Sequence, residues 1–187
     1  NAPTVQADAI GSGSALFVTG NDDYIDVGAG TNLIPKGDFT VNAWIKKNGT
    51  AYGWIFQGGT STQGWKLDVG SSSDGGNALR GRVFYSGGSN AEVVGDTSVA
   101  DVGWRFVSMV IEAGTSMKLY VDGVLDKTNT SSIPAASLWD TPVGGNLIGI
   151  YADKETYGFD GNICQASFYQ GALTQEKIQS IMEKTFE

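Results

Sequence analysis

The run Trp104-Arg105-Phe106-Val107-Ser108-Met109-Val110-Ile111-Glu112, continued by Met117-Lys118-Leu119-Tyr120-Val121-Asp122-Gly123-Val124-Leu125, decides the fold class of this chain. Both stretches are rich in β-branched and aromatic residues, which fit the pleated surface of a strand. The second contains Asp-Gly, a pair that tolerates the positive φ needed at both centres of a two-residue type I′ turn. The chain therefore folds back there as a hairpin. Val107, Met109 and Ile111 share one side of the first strand, and Leu119 and Val121 share one side of the second. These five are assigned to the core.

Outward from that hairpin the same pattern recurs. Ala15 to Thr19 and Tyr24 to Val27 read as short strands joined by the turn formers Gly20-Asn21-Asp22-Asp23. In Asp38 to Lys47, Phe39, Val41, Ala43 and Ile45 alternate with Thr40, Asn42, Trp44 and Lys46, so Trp44 points away from the apolar row. Trp65, Leu67 and Val69 line one strand face, and Val83 and Tyr85 the next, across a Gly-Ser loop at Gly70 to Gly76. Ala91 to Val94 adds an edge strand. After a loop holding Pro134, Trp139 and Pro142, Leu147 to Tyr151 and Ile163 to Tyr169 complete the strands. One helix closes the chain: Thr174 is its N-cap, Glu176 lies in its first turn, and Leu173 packs on Ile178 as a hydrophobic staple. Ile178, Ile181 and Met182 form its apolar stripe. Residues 1–14 read as an arm or linker and 15–187 as one domain. The predicted class is all-β, a two-sheet antiparallel sandwich with one short C-terminal helix.

Composition removes several functions. The 187 residues contain no histidine, which excludes Ser-His-Asp and Cys-His nucleophile pairs and histidine metal sites. A single cysteine, Cys164, excludes an internal disulfide or a cysteine zinc site. A net charge of −8 without clustered Lys or Arg argues against nucleic acid. Charged residues are only 17% of the chain, against a usual value of about 25%, a balance common in extracellular β modules. No run approaches the ~18 apolar residues of a membrane span, so no membrane insertion is expected. The start, Asn1-Ala2-Pro3-Thr4, does not read as a signal peptide, so a secreted protein would have lost its leader already.

The order Leu16-Phe17-Val18-Thr19-Gly20-Asn21-Asp22-Asp23-Tyr24-Ile25, Asp38-Phe39-Thr40-Val41-Asn42-Ala43-Trp44-Ile45-Lys46, Trp104, Leu119-Tyr120-Val121-Asp122-Gly123, Ile148-Gly149, Phe159-Asp160-Gly161-Asn162-Ile163 and Leu173-Thr174 resembles the concanavalin A-like, laminin G-like jelly roll also seen in pentraxins. The resemblance implies a two-sheet antiparallel sandwich with its first and last strands paired. It implies much less about function, since one fold hosts many sites. Members include carbohydrate-binding modules, adhesion domains, calcium-dependent binders and accessory domains of polysaccharide-degrading enzymes.

Two constellations follow. Pairing of the first and last strands would join the Gly20-Asn21-Asp22-Asp23 and Asp160-Gly161 turns, and relatives hold calcium between such turns. The resemblance therefore implies a structural Ca²⁺ on Asp23 and Asp160, with Asp22 and the Gly20 carbonyl beside them, an oxygen set of the kind Ca²⁺ prefers. Sugars stack their C–H faces on exposed aromatic rings. Trp54 beside Tyr52 in a glycine-bounded loop, Trp139 in a Ser-Pro loop, and Tyr157 just before Asp160 lack core alternation and are the binding candidates; Trp44 and Phe84 are candidates for a concave sheet face. The glucanase Glu-x-Asp-x-x-Glu strand motif is absent, and Glu112, Glu92 and Asp68 stand isolated in the sequence. The expectation is a non-catalytic carbohydrate-binding, lectin-like module of a secreted or surface protein, one piece of a larger chain, whose partner is a polysaccharide or other glycan. A protein-binding adhesion or structural module, or a glycan-active hydrolase, are the alternatives.

Overall fold

A computed structural model describes residues 2–6, 14–17, 23–28, 35, 37–60, 62–70, 77–85, 89–135, 145–151, 153–155 and 157–185. The strands are β1 (Thr4–Gln6), β2 (Ser14–Phe17), β3 (Ile25–Gly28), β4 (Phe39–Lys47), β5 (Gly53–Gly59), β6 (Gly64–Val69), β7 (Ala78–Tyr85), β8 (Ser89–Ser98), β9 (Arg105–Glu112), β10 (Ser116–Val121), β11 (Val124–Asn129), β12 (Asn146–Ile148) and β13 (Gly161–Gln170). One helix follows, α1 (Gln175–Thr185). The strands form a seven-stranded sheet, β1-β2-β13-β4-β9-β10-β11, and a six-stranded sheet, β3-β12-β5-β6-β7-β8. Every pair of neighbouring strands is antiparallel. The molecule is a two-sheet jelly-roll sandwich.

The Asp-Gly turn behaves as its residues demand. Asp122 and Gly123 hold φ of 51° and 72°, and Val121 pairs with Val124 directly across them. Both positive angles are what a type I′ turn needs. Between β9 and β10 the pairs Val107 with Val121 and Met109 with Leu119 set the predicted inward residues opposite one another. These four and Ile111, the fifth residue assigned to the core, are buried in the main core. Phe39, Val41, Ala43 and Ile45 join them from β4, and Trp65, Leu67, Val69, Leu79 and Val83 from the other sheet. Gly81 supplies clearance between the layers: a Cβ there would sit 2.7 Å from Met109 Sδ.

Helix α1 lies on the outer face of the seven-stranded sheet. Thr174 caps it, accepting from Lys177 N at 3.4 Å through its hydroxyl and from Ile178 N at 3.0 Å through its carbonyl. Ile178 is fully buried among Trp44, Phe106, Val110, Tyr120 and Cys164, with Leu173, Ile181 and Met182 around it. Trp44 does point away from the apolar row, but it meets the helix rather than lining a concave face. Its indole lies 5.2 Å from Phe106 and donates to Thr185 Oγ1 at 2.9 Å.

Three expectations change. Residues 1–14 are not wholly an arm: β1 is an edge strand, with Thr4 opposite Leu16 and Gln6 opposite Ser14. A three-residue, largely polar edge is held by backbone hydrogen bonds and carries no alternation to read. The strands predicted around Ala15 and Tyr24 form as β2 and β3, but in different sheets. The glycine-bounded segment around Trp54 is not a loop but β5, inside the six-stranded sheet. A register shift between Trp54 and Phe56 breaks its period of two, and burial on both faces removes the polar half of the pattern.

Candidate functional site

The first and last predicted strands pair as expected, with Gly161 opposite Phe17. Gly20 and Asp22 lie outside the described residues. Asp23 is buried. Asp160 accepts from Asn48 N at 2.9 Å through its carbonyl and from Asn48 Nδ2 at 3.3 Å through Oδ1. Buried Lys47 stands nearby. Burial lowers its pKa, while the charges of Asp160 and Asp101 oppose that shift. Among the described residues no three acidic, cysteine or histidine side chains form a metal-sized group.

A different set of polar residues converges on the outer face of the six-stranded sheet. Because Trp65, Leu67 and Val69 face the core from β6, Lys66 and Asp68 must face outward. Leu79, Gly81 and Val83 likewise turn Arg80, Arg82 and Phe84 outward from β7. The register aligns these residues in rows. Gln57, Lys66, Arg82 and Glu92 are successive partners across β5, β6, β7 and β8, and Trp54, Asp68, Arg80 and Val94 form the adjacent row.

The face combines rings with ion pairs. Asp68, fully buried, accepts from Arg80 Nε at 2.8 Å and from Arg82 Nη2 at 3.1 Å. Glu92 Oε2 lies 3.6 Å from Arg80 Nη1 and 4.0 Å from Arg82 Nε. Arg82 Nη2 also donates to the Tyr52 hydroxyl at 3.2 Å. The Lys66 ammonium lies 4.1 Å from the Phe84 ring centre, 4.8 Å from Tyr151 and 5.4 Å from Trp54. Arg80 lies over Tyr52 at 4.6 Å and Arg82 over Trp54 at 4.8 Å. Such contacts hold cations in place while leaving their N–H edges to other partners.

Burial disturbs the charges here. It pushes Lys66 down to about 7, with the positive charge of Arg82 adding to the effect. Burial and Arg82 together push Arg80 down to about 10. Burial raises Asp68 to about 8 against the pull of Arg82. Several buried polar atoms on this face have no hydrogen-bond partner among the described residues: Trp54 Nε1, both amide atoms of Gln57, Arg80 Nη2 and Arg82 Nε. Buried polar groups are normally paired, so this cluster of orphans singles the face out among the described residues.

Tyr157 forms the open rim. It is 56% exposed, its ring lies 5.1 Å from Tyr52 and 6.1 Å from Tyr151, and its carbonyl accepts from Trp54 N at 3.3 Å. Its φ of 57° is strained for a bulky side chain. The predicted aromatics Tyr52, Trp54 and Tyr157 are therefore brought together, while Trp139 lies outside the described residues. The expected exposure of Trp54 is corrected: it is 2% exposed, because Tyr52, Tyr151 and the two cations cover it. Phe84 does lie on an outer sheet face. Gln57, Lys66, Arg80, Arg82 and Tyr151 were not among the sequence candidates. Asp68 and Glu92, isolated in sequence, meet through the two arginines, whereas Glu112 pairs with Lys118 at 2.8 Å on the other sheet. The signal that would have found the charged residues is the alternation Lys66, Asp68 and Arg80, Arg82 between apolar neighbours.

Among known structures, the chain is similar to the botulinum neurotoxin serotype G binding domain, with a TM-score of 0.71 and 14% identity over 98% of this chain and 46% of that one. It thus spans under half of that relative's length. It is also similar to a Ruminococcus gnavus sialidase CBM40 bound to α2,3 sialyllactose, with a TM-score of 0.71 and 14% identity over 90% of this chain and 94% of that one. A third is the heptameric SAP-like pentraxin of Limulus polyphemus, with a TM-score of 0.60 and 22% identity over 77% and 69%. At these identities the likeness concerns the fold. No curated protein sequence matches. Residues 19–179 match a laminin G-type family model described as concanavalin A-like lectin/glucanases superfamily, and to that superfamily the chain belongs.

Proposed function

We propose that this chain is a non-catalytic carbohydrate-binding module of a secreted or surface protein, and that its site is the outer face of the six-stranded sheet. The observation that carries this reading is the set of buried, unpartnered N–H groups on Trp54, Gln57, Arg80 and Arg82 inside an aromatic wall. Sugars supply what such a wall lacks: hydroxyl oxygens for the donors and C–H faces for the rings. Two structural relatives point the same way by name. One is a module bound to sialyllactose, and the other a botulinum toxin whose cell entry depends on two ganglioside molecules. Asp68 is engaged by two arginines, which favours binding over hydrolysis.

Affinity electrophoresis and a glycan array test the reading. Retardation by at least one glycan, lost in Tyr157→Ala with an unchanged melting midpoint, supports it. Absence of binding to any glycan overturns it in favour of a protein-binding module. The structural calcium is proposed on Asp23 and Asp160. An ion bound only by the native state raises the melting midpoint, so chelator lowers it if the ion is present, and an unchanged midpoint removes the ion from the proposal.

A further inference from the structure

We infer that the saccharide taken by this face is acidic, with an anionic oxygen received by the N–H groups of Arg80 and Arg82. This deepens the carbohydrate-binding reading and rests on it. Arg80 and Arg82 share two carboxylates, Asp68 and Glu92, and each guanidinium still keeps one nitrogen donor without a hydrogen-bond partner among the described residues. The chain as a whole carries −8, so the two adjacent guanidiniums are a local concentration of positive charge and of donors.

The orphaned atoms are biased in the same sense. Trp54 Nε1, Arg80 Nη2 and Arg82 Nε are donors only, and Gln57 contributes one donor and one acceptor. A neutral sugar hydroxyl can accept from such groups, but it brings its own proton, for which this face has few acceptors left. An anionic oxygen brings none. Charge-assisted hydrogen bonds to guanidinium are also roughly twice as strong as neutral ones. The guanidinium of Arg80 is clamped by Tyr52, and that of Arg82 by Trp54 and Phe84, so little ordering remains when an anion arrives.

The test uses matched pairs on the whole chain: oligogalacturonide against its carboxyl-reduced counterpart, sialyllactose against lactose, and a sulfated oligosaccharide against its desulfated form. At least one acidic member should bind tenfold or more tightly than its neutral partner, and the preferred pair distinguishes carboxylate from sulfate. Arg82→Lys, which keeps the charge and loses the fixed Nε donor, should remove most of that preference. Equal or tighter binding of the neutral members overturns the inference and leaves the carbohydrate reading standing. Binding of no member overturns both. The wild-type comparison decides even if Arg82→Lys does not fold.

Discussion

The two outer faces of this sandwich are built on the same alternation yet finish differently. On the seven-stranded sheet, Trp44, Phe106, Val110 and Tyr120 are covered by Ile178 and its neighbours on α1. On the six-stranded sheet the equivalent positions hold Lys66, Asp68, Arg80 and Arg82, and aromatic rings surround them. Buried polar atoms occur on the seven-stranded sheet too: Asn42 and Ser108 lack hydrogen-bond partners among the described residues. They face each other across β4 and β9, and each carries both donor and acceptor, so a small rotation can pair them. Arginine and tryptophan donors cannot satisfy one another. One face is covered by an apolar helix, and the other buries donors that find no partner among the described residues.

The largest expected effect sharpens the closed face. Ile178→Ala should cost about 2–5 kcal/mol, the range for truncating a buried large aliphatic side chain, measured by urea unfolding. A loss below about 1 kcal/mol would mean that α1 contributes little to the core, which that burial range does not allow. On the polar face the sign should reverse. Burial disfavours the Lys66 ammonium, so Lys66→Met should raise stability at pH 7 by up to about 2 kcal/mol.

The same residue gives a pH test. Lys66 has a folded pKa of about 7, below its ordinary 10.5, so the unfolded chain binds more protons between those values. Its contribution is present above 10.5 and is lost as pH falls through about 7. Asp68, raised from 3.8 to about 8, acts oppositely: its contribution is present below 3.8 and is lost as pH rises through about 8. Stability should therefore dip between pH 7 and 8 and recover towards pH 10. In Lys66→Met the recovery should disappear, and its persistence would place the titration elsewhere.

The smallest stability change belongs to the rim. Tyr157→Gly relieves a positive φ, a gain of up to about 1 kcal/mol, yet it should weaken glycan retardation. Unchanged retardation would move the site away from Tyr52 and Tyr151.

How much of this was legible varied with the kind of order involved. The β9–β10–β11 meander announced itself because one face alternates and the Asp122-Gly123 turn has a single cheap conformation. Helix α1 was equally plain, from its Thr174 cap to the Ile178, Ile181 and Met182 stripe. Strand β5 was hidden, since its bulge and two-sided burial erase any period. Tyr52, Trp54 and Tyr157 stand out in the sequence as aromatics lacking core alternation, but Trp54 is buried rather than exposed.

The sequence by itself determined the sandwich, its hairpins, its capped helix and the absence of histidine chemistry, because each depends on local turn energetics or a repeating pattern. Only the tertiary structure decided that Lys66, Asp68, Arg80, Arg82 and Glu92 share one face with Trp54 and Tyr151. Those residues lie up to about a hundred positions apart, and cross-strand register, not sequence spacing, sets which side chains become neighbours.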